Sequence, residues 1–339
     1  MPPIYLDHAA TTPLLPAARE AMLEGFAIWA NPSSPHKAGR AARAALEEAR
    51  ARLKAALGWT GEVIFTSGAS EALAIALGRS AVPLAAVSAV EHEAVLRWAG
   101  DAARLPVDAQ GRVAAAGALS GLVAVQQVNN ETGVIQSLAD LAEAVRAAGG
   151  VLLADCAQGA GKIALPEADL IAISAHKFGG PIGIGALLVR DWALLKPTGG
   201  QERGYRGGTE NLPGALAMAA ALEAGAGWLV QAERLRAMLD EGILAAGGEV
   251  VAEQALRLAT IGGYRMPGRS ANAQLIRFDG MGIAVSAGSA CSSGSLKASP
   301  VLTAMGYPHA GEVIRVSIGR ETTEGEIAAF LSAWREIRG

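Results

Sequence analysis

The chain has 339 residues, 51% of them hydrophobic, with 42 glycines, few aromatics and a formal net charge of -3. Such a length exceeds one ordinary domain, and the composition suits an Ala-rich α/β enzyme of two lobes rather than a disordered chain. The charge leaves no basic footprint for direct nucleic-acid binding. The most apolar long stretch, Leu212 to Val230, is interrupted by Glu223 and by glycines, so it reads as a buried helix and no membrane contact is expected. Two cysteines, Cys156 and Cys291, stand far apart and in no CxxC spacing. Neither a disulfide framework nor a structural zinc site is therefore expected, and a reduced, cytoplasmic setting is the default. The first residues, MPPIYLDHAATTP, do not follow a secretory signal pattern.

In chain order, residues 1 to 13 are turn-rich, and apolar periodicity predicts a helix from Leu14 to Trp29. Turn-forming residues fill Asn31 to His36, and a second helix is predicted over Ala38 to Leu57 with a solvated Arg/Glu face. Glu62 to Phe65 reads as a strand, Thr66 to Ser70 as a tight turn and Glu71 to Leu77 as a helix. Free amides and hydroxyls at such a turn suit a phosphate. An ordinary Ser-capped helix explains the same residues equally well.

Leu84 to Val90 and Leu122 to Val128 are further strands, one ending in Glu91-His92-Glu93 and the other in Asn129-Asn130-Glu131-Thr132-Gly133. Two apolar runs follow, Val151 to Ala154 and Leu170 to Ile173, each the length of a buried strand. The first delivers Asp155 and Gln158, the second Ser174, His176 and Lys177. If these are neighbours in a parallel sheet, their carboxyl ends share one rim, where open α/β sheets bind ligands.

Ala186 to Val189 is another strand. The loop from Gly199 to Asn211 offers Arg203, Arg206 and Thr209 to an anion, or is simply a flexible surface loop. Helices are predicted from Leu212 to about Ala246. Beyond Gly247 short strands are predicted at Glu249 to Ala252, Leu256 to Ile261, Gln274 to Phe278 and Ile283 to Ser286, which marks a smaller α+β lobe joined by the N-terminal residues. Cys291 lies in its Ser/Gly-rich stretch SAGSACSSGSLKASP, where small neighbours favour an exposed thiol. A strand from Val313 to Ile318 holds Arg315 between apolar residues, a setting suited to forked recognition of a carboxylate. A last helix is predicted from Thr323 to Ile337.

A lysine among apolar strand ends, its amine partly desolvated, suits a Schiff base with an aldehyde such as pyridoxal phosphate, and a buried carboxylate keeps that cofactor's ring nitrogen protonated. Lys177 and Asp155 have these two properties. Taken alone, the pair reads more simply as a surface lysine and a capping aspartate. Ser174 and Lys177 also satisfy SxxK formally, but the SDN and KTG motifs of that hydrolase chemistry are absent.

Other motifs decide between these readings. YLDHAATTP, NPSSPHKAGR, FTSGASEA, VEHEAV, VNNETGVIQ, the Asp155 and Gln158 pair, SAHKFGGP, GGQERGYRGGTENLPG, SAGSACSSGS and IRVSIGRETTEGE occur in that order over nearly the whole chain. In this the sequence resembles the cysteine desulfurases of the aminotransferase class V group with pyridoxal-phosphate fold-type I. The resemblance implies a large domain, residues 14-232, with a mostly parallel seven-stranded sheet flanked by helices. It implies a smaller α+β domain, residues 1-13 plus 233-339, that carries the cysteine loop.

It further implies that Lys177 is the Schiff-base lysine, that Asp155 and Gln158 hold the pyridine nitrogen and phenolic oxygen, and that His92 stacks on the ring as acid and base. Ala69, Ser70, Ser174 and His176 match the phosphate binders, and Thr209 matches a residue that reaches the phosphate from a neighbouring subunit. Asn130 and Arg315 match the groups that hold the substrate carboxylate, and Cys291 matches the nucleophile. The implied activity converts L-cysteine to L-alanine through a persulfide on Cys291. The sulfur then goes to an acceptor protein for iron-sulfur cluster assembly, thio-cofactor synthesis or tRNA thiolation. A selenocysteine lyase or another class V aminotransferase or lyase is the alternative, and a non-catalytic sulfur carrier is disfavoured because no matched position is lost. Ser70 stands where many relatives have Thr, and Cys156 is expected to pack as a small buried hydrophobe.

Overall fold

The computed structural model describes residues 3–114, 119–288 and 299–339, so Cys291 lies outside the described residues. The first part of the chain runs β1 (Ile4–Tyr5), α1 (Pro16–Ile28), α2 (Lys37–Leu57), β2 (Glu62–Thr66), α3 (Ala69–Arg79), β3 (Leu84–Ser88), α4 (Glu93–Leu96), β4 (Ala103–Leu105), β5 (Leu122–Gln126), α5 (Leu138–Ala147), β6 (Val151–Asp155), β7 (Leu170–Ser174) and β8 (Gly185–Val189). It continues through α6 (Leu212–Glu223), α7 (Leu229–Ala245), β9 (Glu249–Val250), β10 (Ile261–Arg265), α8 (Ala271–Gly280), β11 (Ile283–Ala284), α9 (Pro300–Ala304), β12 (Val313–Ser317) and α10 (Glu324–Arg338).

The seven-stranded sheet has the order β2-β8-β7-β6-β5-β3-β4. Strand β8 runs antiparallel to both of its neighbours, and the remaining pairs are parallel. Strands β5 to β8 are buried along their whole length, which a mostly parallel sheet requires because helices cover both of its faces. Leu46 and Leu53 of α2, with Leu212 and Met218 of α6, close one face. Ala72, Leu73 and Ala76 of α3 close the other. The β6–β7 register sets Asp155 opposite Ala172, two residues before the end of β7, so Asp155 and the turn after Ser174 open on the same edge.

A second apolar cluster gathers on the antiparallel sheet β12-β10-β9, with Leu239 of α7, Phe278 of α8 and Phe330 and Trp334 of α10. Phe278 and Phe330 stack at 4.9 Å. Leu6 belongs to this cluster, and β1 pairs in parallel with β11.

Three sequence expectations fail here. Gln274 to Phe278 is helical, because Ser270 accepts the amide of Ala273 at 3.3 Å and starts α8, while Gln274, at 0% exposure, donates to two backbone carbonyls. The strand expected over Leu256 to Ile261 begins only at Ile261 and runs on through Gly262 and Gly263. The Gly199 to Asn211 loop is pinned, and its arginines are taken by acids of the sheet and helix: Arg203 pairs with Glu62 at 3.5 Å and Arg206 with Glu71 at 3.1 Å. Within it, Glu202 is buried and receives both Nη atoms of Arg50, at 2.8 and 3.0 Å, together with the Phe65 amide at 3.0 Å.

Candidate active site

The carboxyl-end rim of the sheet opens into a cavity of about 440 Å³. Ala69, Ser70, His92, Asn130, Asp155, Gln158, Ser174, His176, Lys177 and Arg315 all line it. Six separate segments of sequence thus deliver ten expected residues to one space. Thr209 is exposed and lies outside this lining, and Cys291 lies outside the described residues.

Asp155 ends β6 and is buried, with Oδ1 accepting the Ala157 amide at 2.9 Å. Burial pushes its carboxyl pKa up, against the pull of that hydrogen bond and of the His92 and Lys177 charges. Lys177 follows β7 by one helical turn and donates from Nζ to the carbonyls of Ala9, at 2.6 Å, and Ala10, at 2.8 Å. These carbonyls belong to a strap that crosses the lysine turn: Thr12 donates from its amide to the His176 carbonyl at 2.8 Å, and Leu15 to that of Gly179 at 2.9 Å.

His92 caps α4, its Nδ1 accepting the Ala94 amide at 3.1 Å, which leaves the proton of the neutral ring on Nε2. Burial lowers its pKa, with Asp155 acting in the opposite sense. His176 is also neutral, lowered to about 4 by burial and by Lys177 and Lys162, and its Nδ1 lies 3.2 Å from Thr11 Oγ1. Beneath His92, Glu91 is 2% exposed and pushed up to about 8 by burial. Its Oε1 accepts the Ser88 hydroxyl at 2.5 Å and the Gln126 amide at 2.7 Å, so the glutamate ties the end of β3 to β5.

The far wall is the amino end of α3. Gly68 precedes it at φ 155°, ψ 178°, a conformation open only to glycine, and has no side chain with which to cap the helix. At the opposite end, Arg315 donates from Nη1 to the Asn130 carbonyl at 3.0 Å and from Nη2 to Asp7 Oδ1 at 2.8 Å, while Nε is buried without a partner. A half-buried amine, a buried acid, a neutral imidazole, the amino end of a helix and a guanidinium therefore face one space.

Sequence reasoning missed the strap. Asp7, Ala9 and Ala10 act through an ion pair and two carbonyls, and a backbone carbonyl leaves no mark in residue type. The only signal was the position of YLDHAATTP among the matched motifs.

The sequence profile of the aminotransferase class-V family matches residues 4–330. The chain belongs to this family. Curated relatives named cysteine desulfurase include one from Rhodobacter capsulatus, 37% identical over 99% of this chain and 96% of its own length. Another, from Cereibacter sphaeroides, is 38% identical over 97% and 94%. Among solved structures, a NifS-like protein superposes with a TM-score of 0.89 at 29% identity, covering 99% of both chains. Within the class-V family the chain is a member of the cysteine desulfurase group.

Proposed function

We propose that the cavity binds pyridoxal 5′-phosphate and that the chain converts L-cysteine to L-alanine, with the sulfur passing to Cys291 as a persulfide. The observation that carries this reading is the convergence of Lys177, Asp155 and His92 on one cavity walled by the amino end of α3.

The residues fit the cofactor on three counts. Gln158 is 5% exposed and donates from Nε2 to the Ala9 carbonyl at 2.9 Å, which leaves its second amide hydrogen for a phenolic oxygen. Asp155 takes the Ala157 amide on Oδ1, and Oδ2 is the atom for a ring N–H. The α3 amides with Ser70, Ser174 and His176 form a cradle of donors and hydroxyls for a phosphate.

Bound there, the cofactor supplies an electron sink for the charge left when the substrate α-proton departs. Lys177 would hold it covalently, and its amine, half-buried against two carbonyls, is in place to take up and return a proton. Asp155 favours a positive ring because a cation relieves the cost of burying its charge. Asn130 and Arg315 would orient the substrate carboxylate, and His92 would offer Nε2 as its proton-carrying atom. At Cys291 one S–S bond forms as the substrate C–S bond breaks. L-cysteine and a thiol thereby become L-alanine and a persulfide, with no external oxidant.

Thr209 is exposed, and in this reading it completes the phosphate site of a second copy, which makes the working form a homodimer. The same reading divides the chain into residues 14–232 and residues 1–13 with 233–339, sets it in the cytoplasm and hands its sulfur to an acceptor protein for iron-sulfur assembly or thiolation. Among the described residues no helix is long and apolar enough to cross a membrane.

The test is alanine release from L-cysteine, with and without reductant, by wild type, Lys177→Ala and Cys291→Ala. Loss of the visible absorption band and of turnover in K177A, with loss of turnover alone in C291A, is the expected pattern. Undiminished alanine release by C291A would instead assign the chain to lyase chemistry.

A further inference from the structure

The residues flanking 289–298 are Gly288 and Ser299, and one carboxylate touches both. Glu131 is 6% exposed and accepts the Ser299 hydroxyl on Oε2 at 2.5 Å. A Cβ placed on Gly288 would collide with the same Oε2, so the lack of a side chain there is what lets the backbone lie against the carboxylate. Ser299 is itself fixed, since its hydroxyl accepts the Leu302 amide at 3.0 Å and caps α9.

Glu131 is equally well held from behind. Its amide and that of Thr132 both donate to Asn129 Oδ1 at 2.9 Å, which locks the turn carrying Asn130. Arg315 reaches the Asn130 carbonyl at 3.0 Å, and its backbone exchanges hydrogen bonds with Ser286, two residues before Gly288. The Asn130 turn, to which Arg315 is bonded, and both residues flanking the Cys291 segment are thus joined through one buried residue, Glu131, by its backbone on one side and its carboxylate on the other.

We propose that Glu131 is a positioning residue for sulfur transfer, fixing Gly288 and Ser299 to the turn that carries Asn130. This rests on the reading of Cys291 as the sulfur acceptor. The proposal assigns Glu131 no contact with substrate or cofactor. Its effect falls on where the chain enters and leaves the cysteine segment relative to the carboxylate fork, and a misplacement of about 1 Å at such a site costs up to about 100-fold in rate.

The experiment is a single turnover of the pyridoxal-phosphate-loaded protein with L-cysteine, followed by mass spectrometry of the persulfide on Cys291. The visible absorption band and the thermal midpoint are recorded in parallel. Glu131→Ala is expected to slow persulfide formation about tenfold or more with its absorption band and KM for L-cysteine little changed. Glu131→Gln, which keeps an acceptor for Ser299, is expected to stay within about threefold of wild type. Gly288→Ala approaches the same contact from the other side and should match E131A. Persulfide formation at the wild-type rate in E131A overturns the proposal. Should E131A fail to fold, wild-type rates in both G288A and Ser299→Ala overturn it instead. Wild-type protein that forms no persulfide at all overturns the Cys291 reading and this inference with it.

Discussion

At the scale of single residues, the buried acids of the site divide by what surrounds them. Asp155 lies close to Lys177, whose charge pulls against the cost of its burial. Asp155→Asn keeps an acceptor for the Ala157 amide but removes the charge, so turnover should fall about 100-fold or more while the cofactor band persists. Alanine release and absorption measured together check this. At Glu91, burial and the nearby Asp155 charge raise the carboxyl to about 8. A group whose pKa is raised on folding contributes stability that is complete below its unfolded pKa, near 4.5, and lost as pH climbs through about 8. Replacing it with glutamine removes that loss. Urea midpoints of wild type and Glu91→Gln should therefore diverge in favour of the variant between pH 5 and pH 8, by on the order of 2 kcal/mol.

Among the elements, the Gly199 to Asn211 loop is anchored by the forked pair of Arg50 and Glu202. Glu202 adopts φ 47°, an uncommon conformation for a residue with a side chain, and the buried ion pair holds it there. Glu202→Gln should cost about 3 kcal/mol in denaturant unfolding, because the Arg50 charge stays buried with a neutral partner. The strands that carry chemistry were plain from the amino acids, since Val151–Asp155 and Leu170–Ser174 are unbroken apolar runs ending in polar residues. Helix α8 was not, because Gln274-Leu275-Ile276-Arg277-Phe278 offers too few turns to separate a 3.6-residue period from alternation. Strand β10 was hidden for the opposite reason, since paired glycines in its middle are poor strand formers whose place is set by their neighbours. The pinning of the 199–211 loop depends on Arg50 and Glu202, 152 residues apart, a pairing that no local pattern announces.

For the molecule as a whole, the motifs carried the site further than the periodicities carried the fold. Ten of the residues singled out by the motifs line one cavity, whereas the Asp7 to Ala10 strap became visible only once the chain ends were brought together across 308 residues, from Asp7 to Arg315. Sedimentation of the loaded protein should give twice the chain mass, and Thr209→Ala should weaken cofactor retention on dialysis. A fully active single chain would contradict the shared phosphate site. Cys156, wholly buried one residue beyond Asp155, has a thiol pushed well above its ordinary pKa by that burial. The sequence holds only one other cysteine. A maleimide that modifies the native fold once has therefore found Cys291, and the fraction of those labels that a reductant strips off after exposure to L-cysteine becomes a direct gauge of how much sulfur the protein is carrying, because only a label held through an S–S bond is released.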